Sequence, residues 1–261
     1  MPDIGIIGGS GVYQMPSVEL IREVPVDTPY GAPSDTFKIL RISGIEAAFL
    51  ARHGSGHTIP PHKVNYRANI RGFKELGVTR LLSMGAVGGI NPLLEPGSIV
   101  VLDQIIDMAA GRLSTFYDKG EVYHVDFSEP FCPELRAVLI EAAQGINLPV
   151  LPRGTYVCTN GPRFETRAEI RAYSIMGADV VGMTAMPEAA LAREAEICYA
   201  TVATVTNAAA GISRDKLTTT EVIETVNKSS INLNALLLNA ISLIRPHRGC
   251  PCKDALKDAK I

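Results

Sequence analysis

Glycines and a serine follow the first apolar run of the chain in GIIGGSG, residues 5–11, and their N–H and hydroxyl groups could bind an anion. The dinucleotide fingerprint G-x-G-x-x-G is absent, because Gln14 stands where its third glycine is needed. The phosphate-loop pattern, which ends in lysine and a hydroxyl residue, is absent too. What remains is a turn with one hydroxyl, Ser10, which suits a small anion such as orthophosphate. A tight turn without a ligand is the alternative.

Polar residues also stand at the ends of other predicted strands. Arg52 and His53 follow the apolar run of FLARHG, and Thr184 stands where GMT passes into a helix. Because ligands of open α/β sheets collect at the carboxyl ends of strands, these side chains and Ser10 could form an oxyanion site. Taken singly, Arg52 could form a surface ion pair and Thr184 could cap a helix.

The elements that must position these residues alternate along the chain. Short apolar runs bounded by glycines and turn residues predict strands within residues 4–7, 35–51, 80–89, 97–107, 154–162, 179–184 and 198–207. The glycines at the end of residues 80–89 predict a turn there. Helical spacing and end signals predict helices over residues 65–76, 133–143, 166–177, 187–197 and 219–243. This alternation predicts an α/β protein with a largely buried central sheet.

Composition narrows the choice of partner. The chain has 261 residues, of which 46% are hydrophobic and 20% charged, so it can bury a sizeable core, and we expect one domain. A net charge of −2 gives no electrostatic reason to expect a nucleic-acid or membrane partner. No apolar run is long enough to span a membrane, and the N-terminus lacks a signal-peptide pattern. We therefore expect a cytoplasmic protein that binds a small molecule.

Seven motifs occur in a fixed order from about residue 4 to residue 243: IGIIGGSGVY, TPYGAPS, LARHG, HTIPPHKVNYRANI, EPFCPELR, GPRFETRAE and GADVVGMTAMPEAALARE. Together they resemble the trimeric purine nucleoside phosphorylases, and especially the branch of methylthioadenosine and methylthioinosine phosphorylases. The resemblance implies a single-domain purine nucleoside phosphorylase-like fold with a central mixed sheet flanked by helices. It also implies phosphorolysis, in which orthophosphate displaces a purine base from a ribosyl carbon, with no metal or organic cofactor.

The resemblance assigns site residues as well. Phosphate is expected against Ser10, Arg52, His53, Ala86 and Thr184. The sugar and base are expected against Phe164, Glu165, Met183, Asn207, Ala208 and Ala209. Because the transition state has oxocarbenium character, a phosphate dianion fixed beneath the ribosyl carbon supplies both nucleophile and charge stabilisation. A hydrogen-bond donor or a proton stabilises the departing purine.

Two residues indicate which purine is bound. The adenine-specific relatives carry an aspartate pair resembling TDYD, where this chain has TNAAAG, with Asn207 and Ala209 at the two aspartate positions. The amide of Asn207 can donate to a 6-oxo group, and Glu165, where those relatives carry serine, can accept the N1–H of hypoxanthine or guanine. Taken alone, Glu165 could simply be a favourable charge at a helix N-terminus.

These residues predict a 6-oxopurine nucleoside phosphorylase, and the preference among methylthioinosine, inosine and guanosine stays open. Residues near Thr219 are expected to shape the pocket for the 5′ substituent, where one group changes binding by only about 1–3 kcal/mol. Methylthioadenosine phosphorylase is the alternative activity. A nucleoside or phosphate sensor on the same fold is the alternative without catalysis.

The resemblance also predicts the assembly. His124 matches a position that reaches into the neighbouring subunit's sugar pocket, which implies a homotrimer or a dimer of trimers. An ordinary surface histidine is the alternative.

The five cysteines fall into two groups along the chain. Three are expected to be separate small core residues: Cys132, Cys158 and Cys198. The other two, Cys250 and Cys252, form a Cys-x-Cys element. They lie in a tail of residues 246–261, which follows the phosphorylase domain of residues 1–245 and is expected to lie loosely on the surface. A disulfide, a free thiol pair and a metal site with His247 are the alternatives, and we expect no metal because that site has only three ligands.

Overall fold

The computed structural model describes residues 1–9, 18–213 and 219–261. In this part the strands are β1 (Ile4–Gly8), β2 (Val18–Val24), β3 (Phe37–Ile42), β4 (Ile45–Ala51), β5 (Arg80–Gly89), β6 (Ile99–Val101), β7 (Gln104–Asp107), β8 (Thr155–Cys158), β9 (Val180–Gly182) and β10 (Cys198–Ala208). The α-helices are α1 (Tyr66–Glu75), α2 (Pro133–Gly145), α3 (Arg167–Ile175), α4 (Ala185–Glu194) and α5 (Thr219–Leu243). The predicted α/β class is therefore confirmed.

The strands form one mixed sheet in the order β2-β3-β4-β1-β5-β9-β8-β7, and β10 pairs with both β5 and β6. At its centre β4, β1, β5 and β10 run parallel, whereas β9 is antiparallel to β5. The edge strand β2, which the sequence did not reveal, pairs only with β3 among the described strands and alternates irregularly between half-buried and exposed residues. Its weak apolar pattern explains why it was missed.

Two predicted elements need correction. The glycines at the end of β5 remain in the strand instead of forming a turn, because Gly88 and Gly89 pair with β10 and β9. Position 89 needs a glycine because a Cβ there would lie 2.9 Å from the carbonyl oxygen of Leu94. The strand predicted over residues 97–107 is two strands, since β6 pairs antiparallel with β10 and β7 pairs parallel with β8. Both corrections come from pairing partners that a local pattern does not reveal.

Helices cover both faces of the sheet because its central strands bury side chains on both sides. Ile7 packs in a cluster with residues of α1 and α4, whereas its neighbour Ile6 packs in a second cluster with residues of α2 and α5. Helix α3 begins with a complete capping box formed by Thr166 and Glu169. Among the described residues, no helix is both long and apolar enough to cross a membrane.

The C-terminal tail is packed and not loose, which corrects the expectation from sequence. The side chain of Arg80 donates to the carbonyl oxygens of Arg245 and Pro246, both at 2.8 Å. Glu134, in the first turn of α2, accepts from the backbone N–H of Gly249 and from that of Cys250. These bonds are long-range, so the polar composition of the tail gave no sign of them.

Candidate active site

The central parallel strands end at two different levels. Strands β4 and β1 end beside each other at Ala51 and Gly8, and the N–H of Arg52 donates to the Gly8 carbonyl at 3.1 Å. Strands β5 and β10 continue past that point and pair as far as Gly89 and Ala208. The candidate site therefore has a lower level at Arg52 and an upper level at the ends of β5 and β10.

At the lower level, Arg52 forms a buried ion pair with Glu188 and not a surface pair. Its Nε and Nη2 donate to the two carboxylate oxygens at 2.6 and 2.9 Å, and only 3% of Arg52 and 0% of Glu188 are exposed. Burial alone would lower the pKa of Arg52, but the charge and hydrogen bonds of Glu188 outweigh it and raise the pKa. Arg52 is therefore fully charged at neutral pH.

The remaining donors of Arg52 are mostly committed. Nη2 also donates to the hydroxyl of Ser83 at 2.7 Å, and Nη1 donates to the carbonyl of Met84 at 2.9 Å. A guanidinium has five N–H groups, so one hydrogen of Nη1 has no protein partner within the described ranges. Arg52 can therefore offer one directed N–H to a ligand beside the end of β1.

His53 is held as a neutral imidazole. Its Nδ1 lies 2.8 Å from the carbonyl oxygen of Ile59, which only accepts, so Nδ1 carries the proton and Nε2 is a bare acceptor. Burial and the charge of Arg52 lower the pKa of His53 to about 4. Next to Arg52 the chain thus places an acceptor for a hydroxyl hydrogen.

Thr184 approaches the same level from the other side. Because β9 is antiparallel to β5, with Val180 beside Gly89, the chain that leaves β9 runs back toward the Arg52 level. Thr184 is the N-cap residue of α4, but its hydroxyl makes no capping hydrogen bond. Its N–H donates to the hydroxyl of Tyr156 at 3.1 Å, and α4 carries Glu188 in its first turn.

Among the predicted phosphate residues, Ala86 lies in β5 two positions beyond Met84 and is exposed. Because its side chain is apolar, only its backbone could serve a polar ligand there. The structure thus brings Arg52, His53, Ala86 and Thr184 to one region, whereas Ser10 lies outside the described residues.

Arg112 was missed by the sequence reasoning although it organises the chain at Thr184. Its Nη1 donates to the carbonyls of Met183 and Met186 at 2.8 and 2.6 Å, and its guanidinium lies 5.3 Å from the ring centroid of Tyr66. Nη2 donates to the carbonyl of Asn160 at 2.9 Å. Arg112 lies in an irregular segment without periodicity, so no local signal could have identified it.

Glu165, which is predicted to contact the base, lies beside a small pocket and not in a helix. Its Oε1 accepts from the hydroxyl of Thr159 at 2.7 Å, and the pocket of about 60 Å³ also contacts Tyr173. The acidic residue of the first turn of α3 is Glu169, whose pKa is lowered to about 2 by its hydrogen bond with Arg163. The helix-end role considered for Glu165 therefore belongs to Glu169.

Asn207 lies at the upper level, where a bulge interrupts the pairing of β10 with β5. Its Oδ1 accepts from the hydroxyl of Thr206 at 2.8 Å, which leaves Nδ2 as the donor group, and Nδ2 donates to the carbonyl of Ala208 at 2.9 Å. Since an amide nitrogen has two hydrogens, one is left for a ligand. No hydrogen bond joins Asn207 to Glu165 within the part the structure describes, because β5 and β9 lie between them.

The remaining predicted site residues differ in burial. Ala209 is buried in an apolar cluster, and Phe164 is 40% exposed. His124 is exposed, and its backbone N–H donates to the carbonyl of Ala259 at 2.8 Å. Thr219 begins α5, but its side chain lies outside the described part, so its predicted role stays a prediction.

Known proteins resemble this chain along its whole length. Residues 3–242 match the phosphorylase superfamily. The 6-oxopurine nucleoside phosphorylase of Pyrococcus furiosus is 58% identical over 266 residues, covering 99% of both chains. A probable S-methyl-5′-thioinosine phosphorylase of Thermodesulfovibrio yellowstonii is 51% identical over 98% of this chain and 96% of its own. A methylthioadenosine phosphorylase structure from an antarctic soil metagenomic library has a TM-score of 0.93 at 41% identity, covering 100% of this chain and 92% of its own.

Proposed function

Because the chain belongs to the phosphorylase superfamily, we propose that it is a 6-oxopurine nucleoside phosphorylase that uses orthophosphate to release a purine base from inosine, guanosine or methylthioinosine. The observation that carries the proposal is the two-level site along β5 and β10. Arg52 contacts Met84 at the lower level, and Asn207 pairs with Gly88 at the upper level. Four residues of strand span roughly 13 Å, which accommodates a phosphate, a ribosyl ring and a purine in line.

At the lower level, the groups suit a phosphate dianion that carries one hydroxyl. The free N–H of Arg52 and the hydroxyl of Thr184 can donate to its oxygens. The Nε2 atom of His53 can accept the hydrogen of the phosphate hydroxyl. This arrangement would orient an unprotonated oxygen toward the ribosyl carbon, and Ser10 is proposed as a further ligand.

In phosphorolysis, that oriented phosphate would act as the nucleophile. The C–N bond to the purine breaks as the ribosyl carbon acquires oxocarbenium character, and the phosphate oxygen bonds to that carbon. Met183, whose carbonyl is fixed by Arg112, lies between the Thr184 level and β9, where a sugar would sit. The reaction is proposed to need no metal or organic cofactor, because orthophosphate is itself the nucleophile.

At the upper level, the residues favour a 6-oxopurine. The free hydrogen of Asn207 Nδ2 can donate to O6, and Glu165 can accept the N1–H that adenine lacks. The Asn207 donor would stabilise negative charge that accumulates on the departing ring, whereas Glu165 would select a ring that carries the N1–H. The opposite arrangement would be needed for a 6-amino group, which donates.

The test is a comparison of base release from inosine, guanosine, methylthioinosine and methylthioadenosine, each with and without orthophosphate. We expect phosphate-dependent release from the 6-oxopurine nucleosides and little from methylthioadenosine. Preferential release of adenine would establish the alternative, a methylthioadenosine phosphorylase. Binding of inosine without any release would leave only a sensor.

We also propose that the protein lies in the cytoplasm and that it forms an oligomer. Large apolar side chains are exposed on the single chain, among them Leu93 at 85% and Ile175 at 88%, which favours a homotrimer or a dimer of trimers. His124 is proposed to enter the neighbouring subunit's sugar pocket. Light scattering would give the oligomeric state, and His124→Ala is expected to raise the KM for nucleoside with little effect on the KM for phosphate.

A further inference from the structure

Arg112 binds two segments of the chain that carry different parts of the candidate site. Its Nη1 donates to the carbonyls of Met183 and Met186, which flank a proposed phosphate ligand, at 2.8 and 2.6 Å. Its Nη2 donates to the carbonyls of Thr159 and Asn160, which follow β8, at 3.2 and 2.9 Å. One planar group therefore joins the two segments directly.

Each of these segments leads to a proposed substrate ligand. Thr184, whose hydroxyl is proposed to bind phosphate, lies between the two methionines whose carbonyls Arg112 fixes. In the other segment, the hydroxyl of Thr159 donates to Oε1 of Glu165 at 2.7 Å. The carboxylate proposed to select the purine is thus held by a residue that Arg112 itself holds. The phosphate ligand and the base ligand are each one residue removed from the same guanidinium.

Arg112 joins the two segments where the sheet no longer does. Strands β8 and β9 pair as far as Gly182, and the N–H of Thr159 makes a last bond to the carbonyl of Gly182 at 2.8 Å. Beyond that bond, within the ranges that the structure describes, no hydrogen bond joins residues 160–165 directly to residues 183–186. The guanidinium of Arg112 is therefore the group that holds the two segments in register.

The contacts of Arg112 require an arginine. A guanidinium is planar and directs N–H groups from separate nitrogens to separate acceptors, whereas lysine has a single nitrogen. The ring of Tyr66, whose centroid lies 5.3 Å from the guanidinium, supports that plane. In the described part of the chain Arg112 has no ion-pair partner, and its acceptors are backbone carbonyls. Its contacts therefore orient the backbone and do not neutralise a carboxylate.

We propose that Arg112 is a positioning residue for phosphorolysis that sets the alignment of bound phosphate with the bound nucleoside. The inference rests on the proposed function, because Thr184 and Glu165 are ligands only in that reaction. Arg112 acts through other residues and touches no substrate. Without its two-sided contact each substrate still has its remaining ligands, but the phosphate oxygen and the ribosyl carbon lose their alignment. An error of about 1 Å in such an alignment can cost roughly 100-fold in rate.

The first test is Arg112→Lys, which keeps the charge but cannot hold both segments. We expect kcat for inosine to fall roughly 100-fold, whereas the KM values for inosine and orthophosphate change much less. The matched control is Arg136→Lys. Arg136 is half-buried like Arg112 and donates to the carbonyls of Leu102 and Pro152, both at 2.8 Å, but it lies in α2, which carries no proposed site residue. It should lose similar thermal stability and keep its kcat.

Thr159→Val keeps the inference testable if Arg112→Lys does not fold. Valine has the shape of threonine and leaves the backbone contact with Arg112 in place, but it removes the hydroxyl that connects this contact to Glu165. We expect kcat for inosine to fall about 10-fold, with the KM for orthophosphate unchanged. Thr155→Val, at the other end of β8, is the control and should keep its kcat.

The outcomes separate this inference from the proposed function. An unaltered protein that releases no base from any nucleoside would overturn the proposed function and the alignment role with it. If the unaltered protein is active, an unchanged kcat in Arg112→Lys or in Thr159→Val would overturn the inference alone. So would an equal loss of kcat in Arg136→Lys, or a rise in the KM for one substrate with kcat intact.

Discussion

The two ends of β10 differ in how their polar groups are used. At the carboxyl end, Asn207 keeps one amide hydrogen free, and the nearby Arg52 keeps one N–H free, so the region is open to a ligand. At the amino end, the sulfurs of four buried cysteines lie within 4.8 Å of one another, so that region is closed to a ligand of substrate size; the cysteines are Cys132, Cys198, Cys250 and Cys252. An open set of preorganised donors suits binding and turnover, whereas a buried cluster of sulfur atoms suits the packing of the tail against the core.

The largest effect is expected from breaking the ion pair beneath the open end. Glu188→Gln leaves Arg52 buried without a countercharge, which should lower the free energy of unfolding by about 3–5 kcal/mol. It should also raise the KM for phosphate, because Arg52 loses its fixed orientation. Urea denaturation and phosphate kinetics measure the two effects.

The matched control is the exposed pair between Arg71 and Glu75 on α1. Glu75→Gln should change stability by less than about 0.5 kcal/mol. Equal losses in Glu188→Gln and Glu75→Gln would contradict the role assigned to the buried pair.

At the closed end, Cys252→Ser should lower the free energy of unfolding by about 1–3 kcal/mol, because it places a hydroxyl among the buried sulfur atoms where the tail packs on the core. The kcat/KM for nucleoside, measured below the unfolding temperature, should stay unchanged. A large change in kcat/KM at constant stability would show that the two ends of β10 are coupled and would break the comparison.

At the upper level of the open end, Asn207→Asp replaces the free amide donor by an acceptor. We expect kcat/KM for inosine to fall about 10- to 100-fold relative to methylthioadenosine, since a mismatched hydrogen bond costs about 1–3 kcal/mol. The exposed Asn147, changed to Asp, is the control. Unchanged relative rates in Asn207→Asp would remove Asn207 from base recognition.

The smallest effect is expected in the pH dependence of stability, through the titration of His53. Its pKa is lowered to about 4 in the folded chain, so between about pH 6.5 and about pH 4 the unfolded state binds more protons and stability falls as pH falls. His53→Gln should reduce that acid-dependent loss, seen as a smaller difference in urea midpoint between about pH 7 and about pH 5. The exposed His62→Gln is the control, and a loss of equal size in all three proteins would refute the assignment.

The open end could be anticipated because its residues obey a local rule. Arg52, His53 and Thr184 each follow an apolar strand, the kind of position where ligands of α/β sheets collect. Thr184 follows β9, which is antiparallel to β5, so its approach to Arg52 depends on a strand direction that the sequence did not predict. Glu188 was not anticipated as their partner, since an acidic residue on a predicted helix is normally solvated. Arg112 was missed for a related reason: its importance lies in four backbone carbonyls that converge only in the folded chain.

The sequence alone determined the alternation of strands and helices and the family, because these depend on local patterns and on residue chemistry. It also predicts the kind of base that Asn207 and Glu165 would favour. Only the tertiary structure decided the pairing of Arg52 with Glu188, the two levels of the site and the meeting of four cysteines. These features join residues that are far apart in the chain, such as Cys198 and Cys250, 52 positions apart, and Arg52 and Glu188, 136 positions apart. Such contacts are set by which strands pair and where the tail packs, and no local pattern carries that information.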